Sequence, residues 1–262
     1  WSFVYRALLD RIHEDAELLG LGRQWLKHGD NYTNDGWSFV YRALLDRVPE
    51  DAWLLDLGRH WLERNDNHTR TDWGFVYQIL LKSAPEDAGL LDLGRHWLGR
   101  HDNFAHAGWS HVWETLHKRM PGAADLLDLG RQWVTREGSD LREDWNYVWR
   151  TLLATASDDP DLHDLGRQWL KREGNNARND WAFVYQALLT RAPDDAELLD
   201  IGRQWLKHDG HDARDDWSFV YRSLLDRSPG DAELLDVGRR WLKRDGNDAR
   251  DAWNFVYQAL LN

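Results

Sequence analysis

A tryptophan returns at a fixed step of 36 residues along the whole chain: Trp1, Trp37, Trp73, Trp109, Trp145, Trp181, Trp217 and Trp253. A second series keeps the same step: Trp25, Trp61, Trp97, Trp133, Trp169, Trp205 and Trp241. A period of that length marks a tandem array, in which each unit packs mainly on its neighbours. The chain therefore reads as a single repeat domain over 1–262. It consists of a fragment at 1–12 and seven units at 13–48, 49–84, 85–120, 121–156, 157–192, 193–228 and 229–262. It opens at Trp1, in mid-unit, and so reads as a piece of something longer.

The unit from Pro49 to Ala84 predicts a helical hairpin. Pro49 stops the preceding helix, and Glu50 and Asp51 stand at the next helix start, where the macrodipole favours negative charge. Leu54, Leu55, Gly58, Trp61 and Leu62 then form one apolar stripe at helical spacing, which defines helix A. The polar stretch from Asn65 to Arg70 ends it. Gly138, Gly174, Gly210 and Gly246 occupy this turn in later copies and suit a left-handed stop. Thr71 and Asp72 are N-cap candidates for helix B, whose inner face carries Trp73, Val76, Tyr77, Leu80 and Leu81. An apolar period near 3.6 excludes strands. The expected architecture is all-α: an open right-handed α-solenoid of 36-residue helix–turn–helix repeats, with about fifteen helices.

Helix A resembles the first helix of the tetratricopeptide repeat. Where that family reads W-x-x-L-G-x-x-Y, this chain reads L-x-x-L-G-x-x-W at Leu54, Leu57, Gly58 and Trp61. Helix B follows with a small residue at Ala7, Ala43, Ala187 and Ala259, and a proline closes most units. The unit is longer than that family's, the extra length lies in the A–B turn, and Val takes the usual aromatic slot of helix B. Near-identical hairpins in tandem also look like the C-terminal sensor arrays of bacterial signal-transduction NTPases, or a designed repeat. The resemblance implies a non-catalytic scaffold that binds a protein or peptide in a groove lined by the A helices, as the sensing array of a larger signalling protein. The other reading is a self-associating structural array, recently amplified or designed.

An arginine follows the glycine of helix A in every copy: Arg23, Arg59, Arg95, Arg131, Arg167, Arg203 and Arg239. By the resemblance it faces the groove, where planar guanidinium groups suit peptide carboxylates. Lys27, Lys171, Lys207 and Lys243 join it as candidate partner-binding residues. The structural alternative pairs each arginine with an acid one turn back, as at Asp56, or with Asp51 or Asp72 of a neighbouring unit. The glycine itself costs about 1 kcal/mol against alanine inside a helix, so its recurrence implies close helix approach. Both tryptophan series are expected in the core.

A net charge of −12 disfavours nucleic acid and anionic membrane as partners. The chain has no cysteine, no apolar run near the ~18 residues of a membrane span and no visible signal peptide. A cytoplasmic protein without cofactor or metal is expected. His96, His101, His106, His111 and His117 lie five or six residues apart, away from the i,i+4 spacing of helical metal ligands. No nucleophile–base set stands out, so no catalytic residue is assigned. The middle copies drift: Trp113 and Trp149 replace Tyr, His111 replaces Phe, and Pro160 and His163 enter helix A. Terminal faces without a polar capping helix are expected to allow end-to-end association of copies.

Overall fold

The computed structural model describes Tyr5, Leu8 and residues 16–34, 36–156, 159–208, 210–211, 214, 216–244, 247 and 252–261. Of the helix expected at 1–12, only Tyr5 and Leu8 belong to this set, and both are helical. Among the described residues there are fourteen α-helices and no strand. The A helices are α1 (Ala16–Lys27), α3 (Ala52–Glu63), α5 (Ala88–Leu98), α7 (Ala124–Val134), α9 (Pro160–Lys171), α11 (Ala196–Lys207) and α13 (Ala232–Leu242). The B helices are α2 (Trp37–Leu45), α4 (Trp73–Ser83), α6 (Trp109–Arg119), α8 (Trp145–Thr155), α10 (Trp181–Arg191), α12 (Trp217–Leu225) and α14 (Ala252–Leu261). The chain divides into two compact units, Trp1–Trp133 and Val134–Asn262, and each stacks hairpins at the same 36-residue period.

Five of the A helices, α3, α5, α9, α11 and α13, start on an aspartate N-cap. Asp51, Asp87, Asp195 and Asp231 sit in extended backbone and accept from the amides of Leu54, Leu90, Leu198 and Leu234 at 3.0–3.2 Å. Pro160 occupies the first turn of α9, where its missing amide costs nothing. At the far end, Gly138 and Gly174 take φ of 79° and 86°, the left-handed stop expected of them. Gly246 lies outside the described residues. Of the candidates Thr71 and Asp72, Asp72 stands at the N-cap position of α4, without the expected side-chain bond. Asp72 has helical backbone and makes no capping bond; its carboxylate instead accepts from Arg70 Nε at 3.1 Å.

The core is an aromatic ladder. Between successive hairpins the tryptophan of helix B lies flat on that of the following helix A: Trp37 on Trp61 at 5.0 Å between centroids, Trp73 on Trp97 at 4.4 Å, Trp109 on Trp133 at 5.1 Å. In the second unit Trp145–Trp169, Trp181–Trp205 and Trp217–Trp241 repeat this at 5.4, 4.8 and 5.1 Å. Buried indole N–H groups need acceptors. The helix A indole donates to a carbonyl in the preceding turn, as Trp97 Nε1 does to the His68 oxygen at 3.0 Å. From Trp73 onward the helix B indole donates to the last turn of its own helix A, as Trp73 Nε1 does to the Leu62 oxygen at 3.0 Å.

The glycine of helix A marks where the next aromatic meets it. Tyr41 and Tyr77 lie against Gly58 and Gly94, where a Cβ would overlap the ring hydroxyl. Tyr41 and Tyr77 donate to the Leu54 and Leu90 carbonyls at 3.1 Å. Trp113 and Trp149 replace tyrosine without losing this bond: their indole nitrogens donate to Leu126 at 2.8 Å and Leu162 at 2.9 Å. The middle-copy drift at these positions therefore conserves the hydrogen bond.

Candidate functional site

Helical geometry puts the recurring arginine beside the acid one turn before it and within reach of the next hairpin. Arg59 bridges both: Asp56 at 3.1 Å, and Asp87, the N-cap of the following A helix. Arg23 pairs with Asp51, Arg167 with Asp164 at 3.1 Å and with Asp195, and Arg203 with Asp231 at 2.9 Å. Arg131 reaches Asp128 at 3.4 Å. The neighbour that the arginine reaches is the Asp51-type cap; the Asp72-type acids belong to other arginines. For Asp87, Asp195 and Asp231, burial pushes the carboxyl up, but backbone amides and the facing guanidinium outweigh it and hold it below the usual range. Arg239 is exposed at the last A helix.

The clamp has one gap. Ala123 stands where the other copies carry the capping aspartate, and Arg95 turns instead to Asp125 at 3.1 Å, Asp92 at 3.3 Å and the Met120 sulfur at 3.1 Å. Ala123→Asp is expected to supply the missing cap and to raise unfolding stability by about 1 kcal/mol, read from the urea midpoint.

The lysines are divided. Lys171 pairs with Glu197 and Lys207 with Glu233 at 2.6 Å, while Lys27 lies over the Trp53 ring at 5.0 Å and Lys243 is exposed. Next to this charged column, neighbouring A helices leave open clefts. In the first unit one of about 360 Å³ is lined by Glu63, His68, Leu93, His96, Trp97 and Arg100, among others. In the second unit a cleft of about 370 Å³ uses Arg172, Ile201, Gln204, Trp205 and His208. Another of about 550 Å³ uses Lys207, His208, Val237, Arg240 and Arg244. All three take an aliphatic residue, a polar residue three later, an indole edge and a His or Arg from equivalent positions of helix A.

Two ladders escaped the sequence analysis. Six residues after most helix A tryptophans stands a buried polar side chain that bonds back to that tryptophan's carbonyl; Ser139, in the fourth copy, bonds to the Val134 and Arg136 carbonyls instead. Asn67, Asn103, Asn175 and Asn247 donate at 2.7–2.9 Å, and His211 Nδ1 occupies the same place at 2.9 Å. A second arginine series ties A–B turns of the second unit to the turn before, through Arg178 and Arg214. Arg178 lies over Trp169 at 5.3 Å, donates to the Asp140 and Arg142 carbonyls at 3.2 and 2.9 Å, and pairs with Asp180 at 3.0 Å. Arg214 repeats the arrangement on Trp205, Ala177, Arg178 and Asp216.

Two of the central histidines, His106 and His117, have packing roles. His117 stands where the other helices B carry leucine, stacked on Trp113 at 4.9 Å, and His106 Nδ1 accepts from the Gly108 amide at 3.0 Å. Burial lowers the pKa of His68, His117 and His211. The folded state therefore binds protons less readily than the unfolded chain, whose histidines titrate near 6.5. Their stabilisation is complete above about pH 6.5 and is lost as pH falls through the folded values. The urea midpoint is expected to drop as pH falls below about 6.5, before the clamped aspartates titrate. His117→Leu with His211→Asn should remove most of that drop.

Among the described residues, no helix is long and apolar enough to cross a membrane, and no three of His, Asp and Glu gather as metal ligands. No protein-family model matches the chain, and no curated protein matches its sequence.

Proposed function

We propose that the chain is a non-catalytic scaffold that takes a protein or peptide segment along the A-helix face. The carrying observation is the repetition of one cleft at equivalent positions, each with an aliphatic wall, an indole edge and a cationic rim. Clefts of a few hundred Å³ suit single side chains, and a regular series suits an extended segment. The arginine ladder runs one residue round the helix from the cleft lining, and Lys171 and Lys207 line clefts themselves. Their ion pairs are partly solvated, so ligand carboxylates can exchange into them at small cost. In this reading the array is the cytoplasmic sensing part of a larger bacterial signalling protein, on the resemblance of its repeats.

The test is selection of a displayed peptide library on the intact chain, followed by titration of the enriched peptide. Ile201→Asp should weaken that peptide at least tenfold with an unchanged helical spectrum. Arg167→Ala should lower thermal stability, and its effect on the peptide measures how far the ladder takes part. Failure to enrich any peptide would overturn the reading.

A second reading, end-to-end stacking of an amplified or designed array, is favoured by the exposed face of α14. Tyr257 is 41% exposed and Leu261 64%, whereas their equivalents Tyr221 and Leu225 are at 0% and 3%. It requires mass in solution to rise without limit as concentration increases.

A further inference from the structure

The third residue of each helix B is aromatic in nearly every copy, yet it lies outside the core. Two residues past the inner tryptophan is about 200° round the helix, on the opposite face. In the second unit Tyr147, Phe183, Phe219 and Phe255 are 38%, 52%, 58% and 54% exposed. Core packing does not explain an aromatic ring held at an exposed position in four successive repeats. Contiguous apolar surface of this kind marks an interaction site.

The surroundings of the stripe have the composition of an interface centre. The fourth residue on is Thr151, Ala187, Ser223 or Ala259, small enough to leave the rings standing. The third residue on alternates Arg150, Gln186, Arg222, Gln258. Arg150 lies over the Phe183 ring at 5.4 Å, so adjacent rows already interlock. Aromatic and arginine enrichment with few other charges distinguishes interface centres from general surface. Asp226, seven residues past Phe219, is exposed on this face and pairs with Arg222 at 3.8 Å, while the other three rows carry Ala154, Thr190 and Asn262 at that position. In the first unit the series is interrupted: His111 replaces the ring, and Phe75 is half-buried between Phe39 and Arg42.

We propose that the helix B face of the second unit is the docking surface for a second copy of this chain, packed antiparallel. Periodicity selects the partner, because only an object with apolar groups at the same spacing covers all four rings at once, and a second copy has that spacing by construction. Charge selects the direction. Parallel pairing would set Arg150 on Arg150 and Arg222 on Arg222. A two-fold axis between the Phe183 and Phe219 rows sets Tyr147 against Phe255 and Phe183 against Phe219, with Arg150 opposite Gln258 and Gln186 opposite Arg222. The four rings offer roughly 400 Å² per copy, taking about half of the 150–250 Å² of each. The flanking Arg, Gln and small residues bring the pair to roughly 1,200 Å² in total, the lower bound of stable interfaces. Association in the micromolar range follows.

This inference is independent of the peptide-binding reading, which concerns the A helices. The experiment is sedimentation velocity of the full chain from about 1 to 200 µM. A monomer–dimer equilibrium that stops at two is expected, and Phe183→Glu with Phe219→Glu should shift it to monomer at least thirtyfold in concentration, with unchanged helical content. Direction is read by cross-linking in this cysteine-free chain: Gln186→Cys mixed with Arg222→Cys should form the mixed disulfide in excess over either homodimer. A monomer throughout the range overturns the proposal. So does an open-ended series abolished by Tyr257→Asp and indifferent to the phenylalanines, and so does a dimer that survives their replacement.

Discussion

Replacing Trp97 by alanine is expected to lower the unfolding free energy by about 3–5 kcal/mol, the range for deleting a buried large aromatic. Trp97 is 1% exposed and lies 4.4 Å from Trp73 with the rings 3° from parallel. It also joins two hairpins, because its indole nitrogen donates to the His68 carbonyl of the preceding turn at 3.0 Å. Its own carbonyl receives Asn103 Nδ2 at 2.8 Å. The loss therefore falls on the interface between neighbouring units as well as on one core. Array stability is the sum of unit and interface contributions, so a weakened interface lets the two sides unfold separately. The expected denaturation curve, followed by circular dichroism, is shifted and broadened or biphasic. Trp97→Phe keeps the stacking and loses the hydrogen bond, and should recover about half the loss. Trp53 is the internal control. It belongs to neither ladder and is only half-buried, with Lys27 over its face at 5.0 Å. Trp53→Ala should cost less than about 1 kcal/mol. Equal losses at Trp53 and Trp97 would contradict the ladder as the organising core.

What was legible in the sequence depended on fixed spacing and local chemistry. The tryptophan ladders, the aspartate starts of the A helices and the left-handed glycines follow from periodicity and backbone preference, and residues such as Trp73, Asp51 and Gly174 stand where those rules put them. The inter-repeat reach of Arg23 to Asp51 was legible because both recur at one step, although sequence alone left it beside a groove role. Asp72 holds the N-cap position the sequence offered but makes no capping bond, because a cap signal next to a helix start cannot reveal that Arg70 takes the carboxylate. The asparagine ladder hid in a turn where Asn is common for local reasons. Its signal was register: Asn31, Asn67, Asn103, Asn175 and Asn247 hold one position while the residues around them vary. The exposed stripe hid because Phe183 and Phe219 count as apolar in any tally. Only their angle from Trp181 and Trp217 round the helix separates them from the core.

Alanine in place of Gly94 is expected to destabilise the chain by about 1–5 kcal/mol, against the ordinary preference of a helix interior. Removing a glycine from mid-helix gains about 1 kcal/mol by propensity alone. Here the new methyl meets the Tyr77 hydroxyl and ring carbon and touches Leu116. Tyr77 has nowhere to go: it is fully buried, its ring lies 5.3 Å from Trp73, and its hydroxyl is held by the Leu90 carbonyl at 3.1 Å. Overpacking costs roughly 1–3 kcal/mol, and displacing the hydroxyl strands a buried polar group for a further ~1–3 kcal/mol. The sum exceeds the propensity gain, so the sign is set by packing. Gly99 separates the two effects. It caps the same helix with φ of −74°, which any residue adopts, and its Cβ position meets nothing closer than 3.5 Å. Gly99→Ala should be neutral or stabilising by up to about 1 kcal/mol through the unfolded chain. Urea titration of the two variants side by side decides the matter, because the close-approach account requires one substitution to give opposite signs five residues apart. A stabilised Gly94→Ala would mean that the tyrosine does not rest on the helix, and the packing reason for a glycine in every A helix would be lost.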